Sequence, residues 1–143
     1  MSLSMSRDER ERFLADVHVG VLTVAAPDGL GPLAVPVWYT YQPGGVVSVT
    51  TGSGSRKVAA IRAAGRCSLC AQQEHEPYKY VTIEGPAVVE LGADLAERRE
   101  IARRYLGTER GDAFMEANPD TDDAMVRITP ERWMTADFGK LAG

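Results

Sequence analysis

The sequence predicts an antiparallel, mainly β domain with flanking helices, the kind of chain that curls into a small closed or partly open barrel. Three observations predict it. Short runs rich in Val, Ile, Thr and aromatic residues recur along the chain. Short turns carrying Pro and Gly join most of them, and parallel strands would need long crossovers instead. The chain has 143 residues, 44% of them hydrophobic and 25% charged, which is one domain's worth and enough to bury a core.

The elements follow in order. Residues 1–5 contain a second methionine, Met5, and read as a tag remnant or disordered start. A single domain is expected over 6–143. Ser6-Arg7-Asp8-Glu9 has the form of a capping box, serine at the N-cap and glutamate three residues on. It opens a helix to about Asp16, with Phe13, Leu14 and Val17 on its apolar side. The β-branched run 19–24 is the first strand. In 26–29, proline fixes φ and glycine supplies positive φ, which makes a turn. Residues 33–41 read as one strand, in which Pro36 marks an edge or a bulge. The turn Gln42-Pro43-Gly44-Gly45 leads to a third strand over 46–51 and completes a meander. A short helix is expected over 56–64, closed by Gly65. A fourth strand covers 67–72. After the polar loop 73–77, a fifth starts at Tyr80, is interrupted by Pro86 and resumes over 87–91. Asp94 and Glu97 again have the form of a cap plus an acid at the third position, starting a helix to Leu106. Leu95, Ile101, Ala102, Tyr105 and Leu106 fall on one side of it and arginines on the other. Residues 111–118 read as a helical turn anchored by Phe114 and Met115 and stopped by Asn118-Pro119-Asp120. A sixth strand over 124–128 and a last one from Trp133 bring the count to six or seven.

Composition excludes several classes. A net charge of −4 and a pI near 5.2 argue against broad nucleic-acid binding, which shows a basic stripe. No apolar run approaches the roughly 20 residues of a membrane helix. No charged n-region followed by an apolar stretch is present, so a cytoplasmic location is expected. Cys67 and Cys70 sit three apart in a run that reads as strand. Their side chains then point to opposite faces with Cα atoms roughly 10 Å apart, too far for a disulfide. They read as two thiols. His18 and His75 are the only histidines. No Ser/His/Asp set, paired-carboxylate motif or H-E-x-x-H is present, and no metal site is expected.

The stretch that carries chemistry is Val49-Thr50-Thr51-Gly52-Ser53-Gly54-Ser55-Arg56-Lys57-Val58. A strand ends in two threonines, a Gly-Ser turn follows, and two cations open a helix. Glycines let the backbone approach a ligand. A helix N-terminus offers free N–H groups and partial positive charge, to which Arg56 and Lys57 add two full charges. Two cations at that end, without an anion, are slightly unfavourable. All three devices suit a phosphate.

Ser55-Arg56-Lys57, behind a β-branched strand and ahead of a short helix, resembles the FMN-binding split barrels, the pyridoxamine 5′-phosphate oxidase-like superfamily. More of the chain agrees. Val19-Gly20-Val21-Leu22 with Pro27-Asp28-Gly29 resembles the family's first hairpin, and Ala34-Val35-Pro36-Val37-Trp38-Tyr39 its second strand. Val81-Thr82-Ile83-Glu84-Gly85 resembles its "V-x-[VI]-E-G", and Arg127-Ile128-Thr129-Pro130-Glu131-Arg132 its closing strand. The resemblance implies a split β-barrel homodimer with its cofactor at the interface. It implies a flavin- or deazaflavin-dependent oxidoreductase that transfers a hydride to a small organic acceptor, with FMN or the deazaflavin coenzyme F-420 as cofactor. It places the phosphate on Ser55, Arg56 and Lys57 and the ribityl chain and ring on Thr50 and Thr51. Val35, Pro36, Val37 and Trp38 would lie beside the ring, and Tyr80 would reach the cofactor from the partner subunit. No catalytic side chain is implied, since the cofactor does the hydride chemistry. The end of the chain lacks the arginine- and histidine-bearing segment of pyridoxamine 5′-phosphate oxidase itself, and Tyr80 replaces a glutamine, so vitamin B6 oxidation is not the implied activity. The alternative is a non-catalytic flavin or haem binder of the same fold, with His18, His75, the cysteines or the tyrosines as candidate axial ligands.

Overall fold

The computed structural model describes residues 2–119 and 122–142. Met1 of the expected start, Asp120 of the expected helix stop, Thr121 and Gly143 lie outside them.

The first helix, α1 (Arg7–Ala15), forms for the expected reason. Ser6 Oγ accepts from the Glu9 N–H at 3.2 Å, and the Glu9 carboxylate accepts from the Ser6 N–H at 2.8 Å. Phe13 and Leu14 enter the core. Val17 does not, because the helix ends at Ala15 and leaves it 55% exposed. The eight strands are β1 (Gly20–Val24), β2 (Leu33–Val37), β3 (Tyr39–Tyr41), β4 (Val47–Gly52), β5 (Arg66–Gln73), β6 (Lys79–Leu91), β7 (Asp123–Ile128) and β8 (Arg132–Asp137). Every ladder among them is antiparallel. They run in the order β2-β1-β5-β6-β7-β4-β3, with β8 paired to the first half of β6. Fully buried Leu22, Tyr39, Val49, Leu69, Ile83 and Val126 fill the inside. This is a split barrel.

The strand expected over 33–41 is two strands. β2 stays on β1 as far as Val37, and β3 pairs with β4 from Tyr39 on. Trp38 belongs to neither ladder. The two ends of the strand order are therefore consecutive in the chain, and the sheet curls back toward itself across a gap at Trp38. A side chain from α3 (Leu95–Leu106) fills that gap. The Tyr105 hydroxyl accepts from the Tyr39 N–H at 3.0 Å and donates to the His18 carbonyl at 2.6 Å. Its ring lies parallel to Trp38, 4.9 Å away at 8°. One turn of side chain thus replaces the ladder bonds that the broken strand gives up.

The strand expected to be interrupted at Pro86 runs through it without a break. β6 changes partner there, from β8 over Lys79 to Glu84 to β7 over Ala87 to Leu91. The connection between β7 and β8 crosses at this point. Thr129 N–H donates to the Pro86 carbonyl and Glu131 N–H to that of Glu84, both at 2.9 Å. Pro86 is needed only as an acceptor, so its missing N–H costs nothing. A Cβ on Gly85 would lie 1.8 Å from the Thr129 carbonyl oxygen, which is why this position carries no side chain.

The helices differ from expectation in three ways. α3 is not divided into an apolar and an arginine side, for Arg98 is buried with Nε 2.9 Å from Asp123 and Leu95 is 53% exposed. Asp94 caps it by accepting from the Ala96 N–H, while Glu97 turns away to Arg127 at 2.7 Å. The turn expected over 111–118 is a full helix, α4 (Thr108–Ala117), which crosses α3 closely at Gly111, where a Cβ would lie 2.8 Å from the Arg103 backbone. The expected short helix is found as α2 (Arg56–Ala64), ended by Gly65 at φ 73°. The opening residues run along β8, with the Leu3 carbonyl accepting from the Asp137 N–H at 2.8 Å and Met5 buried.

Replacing Tyr105 by Phe keeps the Trp38 stack and removes only the hydroxyl, leaving the Tyr39 N–H and the His18 carbonyl without their partner. Unfolding in denaturant is expected to show a loss of about 1–3 kcal/mol with little change in m. Wild-type stability in that variant would show that the hydroxyl does not hold the split.

Candidate functional site

The corner after β4 is built by its own backbone. The Ser55 N–H donates to the Gly52 carbonyl at 3.1 Å, and the Ser53 N–H and hydroxyl both bond Asp122. Ser55 Oγ then accepts from the Val58 N–H at 3.3 Å, which caps α2. That satisfies one of the free donors of the first turn. The N–H groups of Arg56 and Lys57 have no intrahelical acceptor by position. The first turn of α2 holds no acid. Neither the Arg56 nor the Lys57 side chain forms an ion pair or hydrogen bond among the described residues. Several exposed arginines elsewhere are paired with acids. Arg66 lies on Glu84 and Glu131, and Arg103 on Asp112. Two uncompensated cations above open N–H groups form a seat for an anion.

An open cleft of about 410 Å³ begins at this corner. It exists because of the break at Trp38. β3 leaves β4 after Val49, so Thr50 and Thr51 have β7 on one side and no strand on the other. Six of the expected residues line the cleft: Pro36, Val37, Trp38, Thr50, Thr51 and Lys57. Ser55 and Arg56 stand at its corner without lining it. Val35 does not line the cleft and packs against the core from β2. Tyr80 lies outside this cleft. It is 37% exposed on β6, opposite Gln72 and Ala136.

Two lining residues were not among the expected ones, Val19 and Phe114. Phe114 reaches the cleft from α4 and tilts against Trp38, with ring centres 5.7 Å apart. The sequence marks it as a helix anchor, and only the fold shows that the anchored face is the cleft wall. Trp133, the other tryptophan, is elsewhere, edge-on to Tyr41 at 6.3 Å. Asp137 and Lys140 are held structurally, Asp137 by the Gly139 N–H and Lys140 by Glu9 and the Ser4 carbonyl.

A second cleft of about 750 Å³ adjoins the first, sharing Val19 and Pro36, and is also lined by His18, Cys70 and His75. His18 stacks on Phe13 at 4.2 Å, and Nε2 lies 3.0 Å from the Phe13 carbonyl. Burial pushes its pKa down. His75 is exposed. Cys67 and Cys70 are free thiols on opposite faces of β5, the first buried and the second half-buried. Among the described residues, no three His, Cys, Asp or Glu side chains gather as a metal site. Among them, too, no helix is long and apolar enough to cross a membrane.

Comparison with known proteins adds the following. The sequence profile described as pyridoxamine 5′-phosphate oxidase matches residues 6–136. No curated protein matches. Among solved structures, a conserved hypothetical protein of Mycobacterium tuberculosis superposes with a TM-score of 0.79 at 22% identity, over 99% of this chain and 91% of that one. An F-420 reductase superposes at 0.70 and 19% identity, over 87% and 94%. General stress protein 26 of Bacillus anthracis does so at 0.65 and 14%, over 91% and 92%. At these identities the likeness is one of fold.

The two thiols give a pH prediction. Burial raises the Cys67 thiol from about 9 to about 11. A raised folded pKa stabilises below the unfolded value and loses that contribution as pH rises toward the folded one. Stability is therefore expected to fall between pH 9 and 11, and Cys67→Ala is expected to remove part of that fall in denaturant titrations. At pH 8, an aromatic disulfide reagent is expected to label Cys70 in the native protein and Cys67 only after unfolding. Equal labelling of both in the native state would contradict the burial.

Proposed function

The chain belongs to the pyridoxamine 5′-phosphate oxidase family, and from that membership we propose that it is an FMN- or deazaflavin-dependent oxidoreductase. It passes a hydride to a small organic acceptor and works as a homodimer with the cofactor at the interface. The observation that carries the reading is that Lys57, in the acid-free first turn of α2, lines the same cleft as Thr50, Thr51 and the segment Pro36-Val37-Trp38.

The residues fit the group. Arg56 and Lys57 hold the phosphate by charge, helped by their own N–H groups and by the Ser55 hydroxyl proton, which its capping role leaves free. Thr50 and Thr51, on the unpaired edge of β4, bond the polar chain that follows. Pro36, Val37 and Trp38 would lie beside the ring, and Trp38 with Phe114 would help exclude water there. When bound, the cofactor supplies the hydride chemistry. Tyr80 contributes from the second copy. Exposed Tyr78, Tyr80, Met134 and Phe138, on and beside β6 and β8, favour such a partner, since apolar side chains so grouped mark contact surfaces. The F-420 reductase among the structural neighbours supports keeping the deazaflavin beside FMN.

A second reading, a non-catalytic flavin or haem binder, has one observation in its favour. His18, Cys70 and His75, three of its candidate ligands, share the adjoining cleft.

Titration of the purified protein with FMN and with coenzyme F-420, followed by fluorescence, tests the first reading. One of them is expected to bind. Arg56→Ala with Lys57→Ala is expected to weaken it by about 3 kcal/mol or more, roughly 100-fold. Unchanged affinity for both cofactors would sink the proposal, and a Soret band on adding haem without flavin turnover would favour the second reading.

A further inference from the structure

We propose that a second site, at the β3–β4 hairpin end of the barrel, binds a small monocarboxylate. The site is a cavity of about 260 Å³ enclosed by α1, the hairpin turn, the β7–β8 connection and Trp133. It shares no lining residue with the cleft at Lys57. It lies at the opposite end of β4 from Thr50 and Thr51.

Its charge is specific. Arg10 and Arg7 both line it, as does Glu11. Arg7 is answered by Glu11 at 3.3 Å. Arg10 has no ion pair or hydrogen bond from its side chain among the described residues. Its guanidinium lies 4.5 Å over the Trp133 ring, and its Nε is buried without a hydrogen-bond acceptor. A donor of a charged group shut off from water normally has a partner, because leaving it bare forfeits its hydration. The cavity therefore carries one uncompensated positive charge.

Two hydroxyl-bearing residues, Tyr41 and Thr129, line the same space. Tyr41 is 3% exposed, and its hydroxyl accepts from the Gly44 N–H at 3.3 Å. Its own proton has no acceptor among the described residues, while Thr129 is exposed. The guanidinium can only donate, while the two hydroxyls can donate or accept, so an acceptor is the complement to Arg10. A planar carboxylate matches the guanidinium fork in geometry and the net charge in magnitude. A phosphate dianion matches less well, because the Glu11 carboxylate lines the same wall and one positive charge cannot balance two negative ones. The Trp133 ring and Pro130 form the apolar part of the lining, which suits a small ring or short chain behind the carboxylate.

Benzoate is the probe. Full-length protein is titrated with it by calorimetry and by NMR of the indole N–H signals. Saturable binding is expected, moving the Trp133 signal and leaving that of Trp38 in place. Arg10→Gln is expected to weaken binding about tenfold or more, the scale of a charge-assisted pair. Inorganic phosphate is expected not to displace benzoate. If Arg10→Gln does not fold, Tyr41→Phe carries the test, with binding weakened several-fold. No saturable binding, full affinity in the variants, movement of Trp38 instead of Trp133, or displacement by phosphate would each overturn the proposal.

Discussion

The hydroxyl of Tyr105 sits where a strand should have been. One strand of the barrel is broken at Trp38, and its halves pair with different neighbours. The polar groups this leaves at Tyr39 and at His18 meet one phenol from α3. The same break frees the edge of β4 at Thr50 and Thr51 and turns Trp38 out to form a wall. Arg104, next along α3, adds to the clamp by donating to the carbonyls of Ala15 and Asp16 at the end of α1, a position where a cation also meets the negative end of the helix. The cleft is thus a consequence of how the barrel is split.

Charge on this chain is sorted in the same economical way. Arg127 lies between Glu90, Glu97 and Ser48, Arg103 between its helix and Asp112, and Arg98 against Asp123. These pairs tie α3 to the sheet and to α4. Other cations have no acid partner among the described residues, and what matters for those is what surrounds them. Arg56 and Lys57 are such a pair at one end of β4, and Arg10 is such a residue at the other. Salt bridges at the surface contribute little to stability.

Much of this was legible in the sequence, and the reason is locality. Ser55 and Gly65 delimit α2 because capping and left-handed closure act within one turn. The capping box of α1 and the thiol faces of β5 follow from spacing alone. What was not legible depends on residues far apart. The break at Trp38 needs Tyr105, 66 residues on from Tyr39. The continuity of β6 through Pro86 needs the β7–β8 connection to supply a donor. Burial of Arg98 needs Asp123. Within the site, Lys57, Thr50 and Thr51 could be read from one stretch. Phe114 could not, because only the packing of α4 on α3 at Gly111 brings it over Trp38. Val35 was expected beside the ring and packs against the core, outside the cleft lining, which a run read as one stretch does not show.

The central claim is that the cofactor's phosphate rests on the first turn of α2 and its body lies in the cleft opened at Trp38. Amide chemical-shift mapping during a titration with FMN or coenzyme F-420 tests it most directly. The account predicts the largest shifts at the amides of Arg56 and Lys57, with a second group at Val37, Trp38, Thr50 and Thr51. Shifts confined to the cleft of His18, Cys70 and His75, with the α2 amides unmoved, would contradict it.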